Sequence, residues 1–172
     1  MSASIRLSRW LVLAVIALVA SPLLHAADAP DVAVKLNADN AGPHEMEDTT
    51  RASIEKAYAR AWDTMAQALD TNNSSVIDKA FLGTARDNLA QRIADQKSLG
   101  MSTRLVDHGH KVDVVFYSPE GMSMQLRDTA QLEWQVLDGG KVVHSENVTQ
   151  HYVVIMTPTE VTWKVRVLQE TP

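Results

Sequence analysis

Asp128 sits in a stretch, residues 122–137, where apolar and polar side chains alternate. Met122, Met124, Leu126, Ala130, Leu132, Trp134 and Val136 fall on one face, and Ser123, Gln125, Arg127, Thr129, Gln131, Glu133 and Gln135 on the other. By that alternation Asp128 belongs to the apolar face of a strand. A carboxylate enclosed by apolar groups loses hydration, its pKa rises, and it can act as a general base. Two structural alternatives stand beside this chemistry. A β-bulge could turn Asp128 outward, or the residue could be a satisfied structural acid near the sheet rim. His108-Gly109-His110 brings two imidazoles close in sequence. A dyad of His110 with Asp128 would suit proton abstraction or dehydration, so Asp128 and His110 are the candidate catalytic residues. A metal site needs three or four converging ligands. Only this pair is local, with His144 and His151 on a later strand, so neither a metal nor a cofactor is implied.

Tyr58 and Trp62 lie one helical turn apart, with Met65 following. They could wall a pocket in which the tyrosine hydroxyl donates to a ligand, or serve as the core stripe of their helix. Together with Met124, Trp134 and Trp163 they form the candidate ligand-binding set. Met101, Met122, Met124 and Met156 would add soft, adaptable surface or ordinary core filling. The chain contains no Gly-x-Ser-x-Gly elbow, no Ser-x-x-Lys and no cysteine, and its seven glycines never adopt a phosphate-loop spacing.

The elements that must position these residues divide into a helical half and a strand half. Ile54, Ala57, Tyr58, Ala61, Trp62, Met65 and Leu69 recur at spacings of three and four, which predicts one helix of about 20 residues capped by Thr49 or Thr50. Asn72-Asn73-Ser74-Ser75 is a turn leading into a short second helix through Val76, Ile77 and Phe81, which Gly83 stops. A third helix starts at Thr84, with Leu89, Ile93 and Leu99 on its inner side and Gly100 at its end. The apolar period then changes to two. Five strands are expected, at about 102–107, 110–117, 122–137, 141–156 and 160–169, joined by Gly109, Ser118-Pro119-Glu120-Gly121, Asp138-Gly139-Gly140 and Thr157-Pro158-Thr159. Short links make neighbouring strands antiparallel.

The chain starts with Arg6 and Arg9, followed by an apolar run, residues 10–20, that Ser21-Pro22 ends. This is the pattern of a signal peptide over residues 1–26, with cleavage after Ala26 or Ala29, and the run is too short to span a bilayer. Residues 27–47, rich in Asp, Asn, Ala, Pro and Gly, are expected to be a flexible leader, and residues 48–172 a single domain. The net charge of the 172 residues is −5, and losing Arg6 and Arg9 makes it more negative. A negative chain with no basic run is a poor partner for nucleic acid or anionic membranes. Without cysteine the domain must hold by packing alone, and a lipid-anchored form is excluded.

Three N-terminal helices, including the Tyr58/Trp62 helix, followed by a long antiparallel sheet ending in Trp163-Lys164-Val165, resemble the NTF2-like (cystatin-like, SnoaL-like) superfamily over about residues 48–170. The resemblance implies an α+β fold with helices packed on a curved antiparallel sheet, wrapped as a cone around the first helix, and a pocket between them. It also implies that an acidic residue such as Asp128 could serve as a base. The superfamily hosts enzymes, binding domains and assembly modules, so three functions stay open. One is an exported, periplasmic or secreted, non-catalytic module holding a small apolar ligand or a protein partner. Another is a small SnoaL-like lyase or isomerase using Asp128 with His110 or Tyr58. The last is an accessory or assembly subunit of an envelope complex. An exposed apolar patch of Val115, Tyr117, Val153, Ile155 and Leu168 would favour that last role. The chain is expected as a monomer or homodimer, without membrane attachment once the signal is cleaved.

Overall fold

The computed structural model describes residues 33–172; the expected signal peptide lies outside them. The elements run β1 (Val34–Asn37), α1 (Asp48–Thr71), a 3-10 helix (Ser74–Lys79), α2 (Gly83–Ser98), β2 (Met101–Tyr117), β3 (Met124–Asp138), β4 (Lys141–Pro158) and β5 (Trp163–Thr171). The sheet order is β1-β2-β3-β4-β5. All neighbours are antiparallel except β1 and β2, which run parallel. The result is an α+β fold with the helices packed on one face of a curved, unclosed sheet.

The periodicity of α1 decides its placement. Ile54, Tyr58, Ala61, Trp62, Met65 and Leu69 are all buried and face the sheet residues Leu126, Ala130, Leu132, Val154 and Val165, which belong to the same core. Burying a side chain of leucine or phenylalanine size contributes about 1.5–3 kcal/mol, so this stripe is the main source of helix-to-sheet cohesion. The helix begins at Asp48 with Glu47 in the cap position and no side-chain cap, not at Thr49 or Thr50. It ends at Asn72, whose left-handed backbone lets its N–H reach the Ala68 carbonyl.

Four differences from the sequence expectations matter. First, the expected leader over residues 27–47 is not wholly outside the fold. Val34–Asn37 pairs with residues 110–113 of β2, and Leu36 is buried. A four-residue strand carries too few alternating positions to stand out in a polar segment. Second, Gly109 is not a turn between two strands: β2 is continuous, and a bulge lies between Asp107 and Gly109, with Asp107 opposite Leu132 and Gly109 opposite Gln131. Gly109 has φ +123°, and a Cβ there would sit 3.3 Å from the Ala33 carbonyl oxygen, so glycine fits where a side chain would not. Third, Gly83 does not end the short helix but opens α2, its φ of +58° placing it against Arg166. Fourth, Met122 and Leu99 are exposed, because β3 begins only at Met124 and α2 ends at Ser98.

Candidate functional site

The bulge in β2 assembles the polar heart of the protein. In a regular strand, residues three apart point to opposite faces. The extra residue, His108, shifts the alternation, so Asp107 and His110 both face inward. On β3 the alternation is unbroken and carries Asp128 inward, diagonal to His110, with His110 opposite Ala130 and Asp128 opposite Val112. The small Ala130 leaves room for the imidazole. From above, α1 lowers Tyr58 onto the same spot.

These four side chains form one hydrogen-bonded chain. His110 Nδ1 lies 2.7 Å from Asp128 Oδ2, and His110 Nε2 lies 2.7 Å from Asp107 Oδ2. The Tyr58 hydroxyl donates to the same Asp128 Oδ2 at 2.6 Å. The side chains of His110 and Asp128 are completely buried, and that of Asp107 nearly so. Burial pulls the His110 pKa down, but the hydrogen bonds to Asp107 and Asp128 and the charges of both carboxylates outweigh it, raising the value to about 9. At neutral pH His110 is therefore an imidazolium that donates to a carboxylate at each ring nitrogen. Burial first, and then the Asp128 charge, push the Tyr58 hydroxyl well above the usual tyrosine value, so it stays protonated. Trp62 lies over His110 with ring centroids 4.5 Å apart, and Tyr152 meets Trp62 edge-on at 5.4 Å. Asp128 Oδ1 is buried with no hydrogen-bond partner among the described residues.

The structure thus brings Tyr58 and Trp62 of the candidate ligand-binding set together with the candidate catalytic pair His110 and Asp128, and adds Asp107. It does not join the rest of the ligand-binding set to them. Met124 is fully buried in the core, and Trp163 packs near Tyr117, 6.4 Å between ring centroids. The interior between Tyr58, Ala61, Trp62, Met65, Phe81, Val165 and Leu168 has no room for a water molecule.

Trp134 instead lines an open groove of about 490 Å³ between α2 and the distal halves of β3, β4 and β5. Its apolar wall includes Leu89, Val148 and Leu168. Along its floor the Trp134 indole N–H donates to Gln150 Oε1 at 3.0 Å, and the Tyr152 hydroxyl donates to that oxygen at 2.6 Å. The Gln150 amide donates in turn to Glu170 at 3.1 Å. Arg92 reaches over the Trp134 ring, 4.4 Å from its centroid. Desolvation lowers the arginine's pKa somewhat, yet it remains a cation. Sequence periodicity gives Leu89 as part of an inner stripe but carries no signal for Arg92 or Gln150, which depend on how the sheet curls toward α2. Of the apolar patch anticipated on the outer side of the sheet, Tyr117 is buried and Leu168 lines the groove.

No protein-family model matches the chain, and no curated protein matches it. Among solved structures it is similar to the intermembrane space region of the chloroplast protein ARC6, with 14% identity and a TM-score of 0.61 over 74% of this chain and 98% of that one. It is also similar to a candidate dehydratase of the NTF2-like family from Streptomyces avermitilis, with 10% identity and a TM-score of 0.48 over 71% of this chain and 97% of that one. A candidate scytalone dehydratase from Novosphingobium aromaticivorans shows 14% identity and a TM-score of 0.49 over 74% and 89% of the two chains. At such identities the likeness is one of fold alone. Helices laid in the hollow of a curved five-stranded sheet, in this order, give the chain the fold of the NTF2-like superfamily.

Proposed function

We propose that this chain is an exported, non-catalytic binding module whose occupant lies in the groove between α2 and the sheet. One observation carries the reading: the acid and base groups are sealed inside the core, while the amphipathic groove is open. His110, protonated and clasped by two carboxylates, is a poor base. Tyr58, Trp62 and Tyr152 fill the space a substrate would need. The groove, in contrast, has the size of a small-molecule site, and the apolar side chains of Leu89, Val148 and Leu168 stand in it beside the polar ones of Arg92, Gln150 and Glu170. The charged start and short apolar run of the sequence support export, and the ARC6 region sits in an intermembrane space.

A second reading, a small lyase or isomerase, draws support from the unpartnered Asp128 Oδ1, the atom that would take a substrate proton. Native mass spectrometry of the exported, purified protein separates the two. The binding reading expects a small retained mass that disappears on denaturation, and its loss in Leu168→Trp, where the larger side chain fills the groove. A retained mass that persists in Leu168→Trp and disappears in Asp128→Asn would overturn it.

A further inference from the structure

We propose that the groove takes a single-chain carboxylic acid, its carboxylate on Arg92 and its alkyl chain along Leu89, Val148 and Leu168. This rests on the groove being the binding site and names the chemistry of its occupant. The polar side chains on the floor are already engaged: Trp134, Tyr152 and Gln150 donate within the groove, and Glu170 accepts from Gln150. Arg92 is different. The indole holds its guanidinium from one side, and among the described residues no carboxylate or carbonyl accepts from it. A planar cation fixed in place with unused N–H donors matches a carboxylate in a two-pronged contact.

The surrounding charge narrows the class. Glu146 and Glu170 also line the groove, and Glu170 acts on Arg92. The lining thus carries one guanidinium against two carboxylates, so one further negative charge is admitted only by direct contact with Arg92. A second, as in a phosphate monoester, would add to the repulsion from both carboxylates, with His144, beside Glu146, the one further basic side chain among the lining residues. The site therefore favours a monoanion. The apolar lining beside it calls for a hydrocarbon body, and a single chain fits a groove of about 490 Å³.

The test is calorimetric titration of the full chain with decanoate, decanol and decyl phosphate, each below its micelle-forming concentration. Decanoate should bind at least about tenfold more tightly than decanol, the weight of a charge-assisted hydrogen bond, and more tightly than decyl phosphate at pH 8. In Arg92→Gln the ratio of acid to alcohol affinity should collapse toward one, with circular dichroism confirming an intact fold. Equal binding of acid and alcohol by the wild type, or a preference that survives Arg92→Gln, would overturn the carboxylate assignment while leaving the groove as the binding site. Failure of all three to bind would overturn both.

Discussion

Replacing Asp128 by alanine is expected to destabilise the fold by about 3–5 kcal/mol, the cost of stripping one partner from a buried ion pair. The variant would leave the His110 imidazolium with Asp107 alone and the Tyr58 hydroxyl buried with no acceptor, since Asp128 Oδ2 serves both. Native stabilities of single domains are themselves only about 5–15 kcal/mol, so the loss is a large share of the total. Urea denaturation curves measure it. Asp128→Asn keeps the volume and an acceptor oxygen while removing the charge, and should fall between wild type and alanine. A residue retained only for turnover would leave the urea midpoint unmoved in both variants.

Stability should also fall as the solution becomes alkaline. His110 titrates near 6.5 when unfolded and at about 9 in the fold. Because the folded value is the higher one, the stabilisation is complete below about pH 6.5. It declines as pH rises and is gone once the pH has passed through about 9. Each pH unit of that gap is worth about 1.4 kcal/mol, which gives a loss of about 3 kcal/mol between pH 6 and pH 10. Urea midpoints at a series of pH values would trace it, and His110→Asn should flatten the slope in this window.

Both expectations depend on a placement that was half visible in the sequence. Strict alternation along β3 puts Asp128 inward, and the helical spacing of Tyr58 and Trp62 puts both on the buried face of α1; the structure has them there. Asp107 could not be read this way. A single extra residue in β2 reverses which positions face the core, and periodicity has no means to detect one insertion in advance. The only local sign was Gly109 between two histidines, which suits a turn as well as a bulge. β1 escaped notice because four residues hold barely two alternations, and its pairing is with a distant, parallel partner. The groove was legible only in part. Trp134 and Leu89 stand on recognised apolar faces, but Arg92, Gln150 and Glu170 converge through the twist of the sheet and the seating of α2, which are tertiary outcomes.

The division of labour between a sealed polar core and an open groove is tested most directly by nuclear magnetic resonance of the labelled protein titrated with decanoate. The largest shifts should fall on the Trp134 indole N–H, the Gln150 side-chain amide, and the backbone amides of Leu89 and Leu168, with His110 and its neighbours almost unmoved. If the strongest changes instead centre on His110, Asp128 and Tyr58, the core opens to ligands and the non-catalytic reading is wrong.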